Sequence, residues 1–527
     1  MDIVRNKHIH NALLTSILLA GCFGLQFFGD FHSYQNADSL VYSIMSYHQP
    51  TLYFWGQDRL LALLPALLSP IKNPEANLVA MAACMLAMAF TLPFLVAALL
   101  DIRHRTLFGF VVLGCLALFK AFFWIELCVV PYTQSFFLLV LSLLACKRAF
   151  ATEQEDSRAG WALLGSILIL AAYNVAQPAM AVFIVWLSWL AVRALKISVD
   201  ADSAHLQLDS ARRVTRSFVM IAGFSVVLFL AFAAIQLSAT SHGDALWTNL
   251  AVTINMHAIV HGVLACSMSA IGAYGKNPAL IVFVTWLVIA SYGVLAAHGR
   301  FDRIGASIIL FLVPAAIIAV TLASLAFVKE NHYHGRYYCD PILLLAMNAA
   351  YLAVCVGEYV PRWDRVRPVL ITLMAIVVIV TLASDFHVGR YESPVDRIAA
   401  NVPYAQELRG IEGVDGIVGE YWRIWPCVWL ENAWGRRDFL GVGQRTGYHY
   451  RALLHDGAGR KPIRLVGYVD DPDAEEYSVR CFNRVVALEP VSSHFRVLSV
   501  VPGPGGFEPL ETFMNRGQRV VLINQRL

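Results

Sequence analysis

The residues of this chain that could do chemistry fall just outside long apolar stretches. Asp38 stands in Asn36-Ala37-Asp38-Ser39-Leu40-Val41-Tyr42, ahead of apolar and aromatic residues at helical spacing (Leu40, Tyr42, Ile44, Met45, Tyr47). That pattern predicts a short interfacial helix with Asp38 as cap or first-turn residue. Capping alone accounts for an aspartate there. A carboxylate at a dry membrane margin also holds a proton more readily, and so can take one from a hydroxyl. Trp55-Gly56-Gln57-Asp58-Arg59-Leu60 comes next along the chain. Asp58 either pairs with Arg59, caps the next helix, holds a substrate sugar or serves as a second catalytic carboxylate; Arg59 either snorkels or offers a donor fork to a phosphate.

A denser cluster reads Lys329-Glu330-Asn331-His332-Tyr333-His334-Gly335-Arg336-Tyr337-Tyr338-Cys339-Asp340-Pro341. Cations at a helix end suit an aromatic belt, but such a belt does not require alternating histidines. The same donors would neutralise the charge that develops on a phosphate leaving group. His257 and His261 have the i, i+4 spacing of a zinc pair, yet no glutamate follows the first histidine as in a zincin. A divalent metal therefore stays an open alternative, with no cofactor assigned. Lys120 and Glu126 flank Phe122-Phe123-Trp124 and either pair with one another or meet a substrate.

The elements that must position these residues are membrane spans. The 527 residues are 58% hydrophobic and 15% charged, with a mean hydropathy of +0.59, which excludes a soluble globular class. A net charge of +3 gives no support to nucleic acid binding. Eleven apolar stretches are expected to span, near 12–28, 77–100, 107–119, 133–146, 161–176, 178–195, 217–238, 278–297, 304–328, 341–357 and 368–384. Leu19-Ala20-Gly21-Cys22 resembles a lipoprotein cleavage signal, but the apolar run continues through Phe28, as in an uncleaved span. The segments expected to be cytoplasmic carry 17 Lys and Arg; the opposite loops carry six. This bias puts the N-terminus in the cytoplasm and the C-terminal region outside a cytoplasmic (inner) membrane. Residues 29–76 then form a long first outer loop and 239–277 another.

Composition changes after Phe386, dividing the chain into a membrane part, 1–386, and an extracytoplasmic part, 387–527. The latter alternates a helix over 394–410 with short β-type runs at 414–418, 463–469, 485–488, 495–501 and 520–523, which predicts a small α/β domain. Its Cys427 and Cys481 either form a disulfide or are simply buried. Trp422, Trp425, Trp429 and Trp434 are core aromatics or a sugar-stacking surface. No P-loop, dinucleotide fingerprint or kinase signature occurs, so any donor must arrive from the bilayer or the outside.

With its first span, aspartate-bearing outer loop, many further spans and terminal outer domain, the chain resembles the GT-C superfamily of integral membrane glycosyltransferases. Asp38 with Tyr42, the Gly56-Gln57-Asp58-Arg59 stretch and His334-Gly335-Arg336-Tyr337 are similar to motifs in bacterial relatives of protein mannosyltransferases and lipid A aminoarabinose transferase. Asp415-Gly416-Ile417-Val418-Gly419-Glu420-Tyr421-Trp422 looks like the start of the outer domain in such proteins. The family's usual acidic pair is an adjacent Asp-Glu, whereas Ser39 follows Asp38 here, leaving Asp58 as the candidate second carboxylate. The resemblance implies inverting transfer from a polyprenyl-phosphate sugar to an acceptor glycan, lipid or protein. Asp38 would act as base. Arg336, with Lys329, His332, His334 and Arg59, would hold the donor phosphate, and Tyr42, Lys120, Glu126 and Tyr337 would contact substrate. The rival classes are a flippase or transporter of lipid-linked glycans and a non-catalytic sensor or assembly subunit. Transporters place ionisable groups near the midplane, whereas these spans hold few.

Overall fold

The computed structural model describes residues 37–48, 63–120, 132–175, 179–199, 204–240, 255–325, 328–329, 333–385, 393–402, 404–436, 439–442, 463–470 and 485–500. The expected first span and the strand at 520–523 lie outside them. The chain divides into two compact units, one of Met1–Leu25, Ala83–Phe232 and Asn249–Gly389, the other of Gln26–Ala82, Ala233–Thr248 and Arg390–Leu527. Residues 26–82 thus group with the C-terminal region.

The chain is a multi-pass membrane protein, with eight helices long and apolar enough to cross a bilayer among the described residues. In the first unit the polar contacts gather at one basic end. Asp101, in a left-handed conformation (φ +54°), accepts Lys147 at 2.7 Å, Arg193 at 3.6 Å and Arg105 at 3.9 Å. Lys147 also donates to the carbonyls of Ala98 and Leu99, and Arg193 to that of Leu100. These cations satisfy the open carbonyls where the Pro74–Leu99 helix ends, where the helix dipole favours positive charge. Arg103–Glu358, Arg367–His104 and Arg300–Tyr359 close the same end. It joins Arg105–Leu116, Tyr132–Ala151, Glu155–Val175, Ala179–Val199, Pro278–Ala297, Phe301–Ser324, Cys339–Gly357 and Trp363–Asp385. Arg105–Leu116, matching the expected span 107–119, has only 12 residues, about 18 Å of a hydrocarbon layer of about 30 Å.

Helix pairs in this unit meet through small residues. A Cβ on Gly165 would come within 2.8 Å of Cys146 Sγ, and Ser142 Oγ donates to Gly165 O at 2.6 Å. The Phe301–Ser324 helix contains Pro314, which has no N–H for the carbonyl of Leu310. A π turn spans Ile308–Leu312 just there, and Trp186 Nε1 donates to the released Leu310 oxygen at 2.6 Å.

One expectation is corrected. Residues 239–277 are not a plain loop: Met256–Tyr274 is a 19-residue helix. It is apolar enough to span, yet both of its ends stay away from the basic end. A Cβ on Gly262 would meet Ala323 and Tyr333, at the far end of Phe301–Ser324. Past its other end, Lys276 donates to Ala117 O and Leu118 O beyond the Arg105–Leu116 helix. Its exposed face is an apolar stripe of Met256, Val260, Leu264 and Met268, four residues apart, suited to lipid. We expect cysteines substituted at His257 and Asn277 to react with a membrane-impermeant maleimide from the same side of sealed vesicles. Labelling from opposite sides would show that the helix crosses.

In the second unit, β1 (Gly416–Val418), β2 (Leu440–Val442), β3 (Ile463–Tyr468), β4 (Val485–Pro490) and β5 (Phe495–Val500) form one mixed sheet in the order β2-β1-β3-β5-β4. β1 runs parallel to β2 and β3; β5 runs antiparallel to β3 and β4. The β1-to-β2 crossover is the Tyr421–Ala433 helix, capped by Glu420, whose carboxylate accepts from the N–H groups of Trp422 and Arg423. Trp425 and Trp429 are fully buried core aromatics, whereas Trp422 is 41% exposed. Cys427 is a buried free thiol within 3.3 Å of the Tyr468 hydroxyl, and burial pushes it up to about 12. Cys481 lies outside the described residues. The expected single helix over 394–410 is two, Pro394–Asn401 and Ala405–Gly410. Val402 precedes Pro403 and is extended (φ −106°, ψ 106°), and Tyr404 is left-handed (φ +64°).

Candidate functional site

Asp38 is the second residue of the Ala37–Tyr47 helix. Its backbone is placed in the first turn, where the helix dipole favours a carboxylate; its side chain is outside the described residues. The helix that carries it is buried on every described side from Ser39 to Tyr47, Tyr42 included at 6% exposure. A polar network lets the serines at 43 and 46 tolerate that burial. Ser43 Oγ donates to Asn77 Oδ1 (3.1 Å), and Asn77 Nδ2 donates to Ser46 Oγ (2.8 Å) and to the carbonyls of Leu68 and Ile71 (3.1 Å each). Trp429 Nε1 donates to Ser43 Oγ at 3.4 Å. His48 Nε2 lies 2.7 Å from Asn432 Oδ1; because Asn432 Nδ2 already donates to Val428 O, the histidine is the donor. Asn77→Ala strands several of these partners. We expect it to cost about 1–3 kcal/mol, measured as a lowered thermal midpoint of the purified protein.

A separate group of candidate residues lies where the Phe301–Ser324 helix ends in the first unit. The Tyr333 N–H donates back to Val328 O at 2.9 Å, and Tyr333 takes a left-handed conformation (φ +52°). A bulky residue there is strained by about 1–2 kcal/mol, and its ring packs edge-on to His261 with centroids 5.8 Å apart. Glycine at 262 allows that approach, since a Cβ would sit 3.2 Å from the Tyr333 ring. The histidine pair of the Met256–Tyr274 helix and the 329–340 cluster, separate features of the sequence, thus meet. His257 and His261 are both exposed. Among the described residues no three His, Cys, Asp or Glu side chains are placed to hold a metal.

His334 caps the short turn Gly335–Tyr338: its Nδ1 accepts the Arg336 N–H at 3.3 Å. In the neutral ring the proton therefore sits on Nε2. Burial, and then the neighbouring Arg336, lower its pKa, so His334 is a neutral donor near pH 7 rather than a third cation. The half-buried Arg336 guanidinium donates to the Tyr337 hydroxyl at 3.2 Å and lies 5.1 Å from the Tyr337 ring centre. Tyr338 OH donates to Ala319 O at 3.2 Å and ties the turn to the helix before it. Lys329 is exposed. Asp340, which sequence reasoning assigned no role, is 4% exposed, and its Oδ1 has no hydrogen-bond partner among the described residues. Its only signal in the sequence is a carboxylate at the mouth of an apolar run. Lys120 is exposed in the first unit. Asp58, Arg59, Glu126 and His332 lie outside the described residues.

No family model and no curated protein sequence matches the chain. Solved structures do. The chain resembles ArnT from Cupriavidus metallidurans in the apo state (TM-score 0.45, 12% identity, covering 94% of this chain and 100% of that one). It resembles the same protein bound to undecaprenyl phosphate (TM-score 0.42, 12% identity, 94% and 99%). It also resembles the archaeal oligosaccharyltransferase AglB from Archaeoglobus fulgidus in complex with an inhibitory peptide and a dolichol-phosphate (TM-score 0.38, 11% identity, 88% and 70%).

Proposed function

We propose that this protein is a GT-C-type membrane glycosyltransferase that moves a sugar from a polyprenyl-phosphate donor to a hydroxyl of an extracytoplasmic acceptor. The observation that supports this reading most is the position of Arg336, His334 and Lys329 at the end of the helices remote from the basic end. If the basic end is cytoplasmic, as the positive-inside bias requires, these donors face the outer leaflet. A guanidinium held against Tyr337, a neutral imidazole N–H and an exposed ammonium suit a lipid phosphate.

In the proposed reaction the acceptor oxygen attacks the anomeric carbon on the face opposite the phosphate, and Asp38 takes its proton. The bond between that carbon and the phosphate oxygen breaks, and its electron pair leaves with the polyprenyl phosphate. One displacement inverts the anomeric configuration. Arg336 and Lys329 stabilise the negative charge that gathers on the leaving oxygen, and Tyr337 orients Arg336. Asp58 and Arg59 are the second carboxylate and a further phosphate donor.

The test places purified protein in nanodiscs with labelled polyprenyl-phosphate sugars and a membrane extract. Transfer of label from donor to product supports the reading. In sealed vesicles, an intact donor moved from one leaflet to the other would instead identify a flippase.

A further inference from the structure

The second unit carries a surface that the transfer reaction does not use. Tyr404 stands between the Pro394–Asn401 and Ala405–Gly410 helices in a left-handed conformation (φ +64°). An aromatic residue gains nothing locally from that geometry. One face of its ring is stacked on His494, with centroids 3.7 Å apart and planes 20° apart. The residue is nevertheless 44% exposed. His494 is itself fixed, its Nδ1 lying 2.7 Å from Glu407 Oε2. Tyr468 lies beneath, 6.4 Å from Tyr404 between centroids, and is buried. The Arg423 guanidinium covers the Tyr468 ring at 5.6 Å and reaches both Asp470 oxygens at 3.3 Å. Trp422, one residue away, is 41% exposed.

A part-exposed aromatic ring backed by a second ring, with planar carboxylate and guanidinium groups nearby, is the chemistry that binds a sugar ring: C–H groups on the aromatic ring, hydroxyls on the polar rim. The Arg423 guanidinium is paired with Asp470, and the Glu407 carboxylate lies within hydrogen-bond distance of His494 Nδ1. An anionic ligand would have to break a pair, whereas hydroxyl groups add to both.

We propose that the Tyr404 surface is a platform for an uncharged glycan, the sugar chain of the acceptor. The assignment to the acceptor rests on the transferase reading; the glycan platform does not.

The experiment titrates full-length protein in nanodiscs with mannotriose and maltotriose, monitored by calorimetry, with trigalacturonic acid as the anionic arm. We expect at least one neutral trisaccharide to bind and Tyr404→Gly to weaken it about tenfold or more. Glycine takes the same backbone angle without strain, so that variant should keep its fold and thermal midpoint. Failure of both neutral sugars to bind, undiminished binding by Tyr404→Gly, or tighter binding of trigalacturonic acid would each overturn the proposal. Donor turnover separates the two readings. Trisaccharide binding by a protein that never consumes a polyprenyl-phosphate sugar would leave the platform standing and remove the transferase.

Discussion

Asp38→Asn is expected to lower glycosyl transfer about 10²–10⁴-fold, the usual loss when a general base is removed, while donor binding and expression stay intact. The substitution is informative because asparagine keeps the size and shape of aspartate. At the second position of the Ala37–Tyr47 helix it gives up a charge–dipole contribution of only about 0.3–1 kcal/mol, far less than the loss of a base. The buried serine and asparagine network behind the helix is untouched. The measurement is single-turnover transfer from labelled donor by protein whose thermal midpoint matches wild type. Near-normal transfer would reject Asp38 as base and pass the role to Asp58.

Arg336→Ala should be nearly as damaging, with about 10²–10³-fold lost from kcat, the scale for one donor aimed at developing charge. Arg336→Lys keeps a cation but loses the fork and, with it, the contact to Tyr337. It should fall between alanine and wild type. Rates at saturating donor distinguish the two ways a cation can act. A loss confined to KM would mean that Arg336 binds the ground-state phosphate equally and does not stabilise the transition state. An alanine variant with unchanged kcat and KM would remove Arg336 from the site.

Much of the membrane part was legible because a bilayer imposes length and charge rules that a single chain must obey. Ten of the stretches read as spans correspond to helices, and cations from several of the basic loops between them meet in space around Asp101 and Glu358. What escaped has physical causes. The Met256–Tyr274 helix buries one face of small residues such as Gly262 and carries histidines in its first turns, so its apolar run is broken in sequence but continuous on its outer stripe. Tyr421–Ala433 holds Pro426 and several tryptophans, a composition that reads equally well as strand; its helical state is decided by burial between the sheet and the Ala37–Tyr47 helix. The break at Tyr404 is due to Pro403, a local rule that a longer amphipathic pattern concealed. Of the candidate site, the His334–Tyr337 turn was readable as a motif. The meeting of His261 with Tyr333 was not, because it depends on two distant segments sharing one end of the bundle.

The Met256–Tyr274 helix has a consequence for any experiment that assigns compartments by fusion. Scored as a crossing, it would invert the deduced address of every residue after Gly275, Arg336 among them. The contacts of Gly262 with Tyr333 and of Lys276 with Leu118 predict that phosphatase reporters joined just before and just after it are active together. A membrane protein can thus gain a long apolar helix while every downstream segment keeps its orientation.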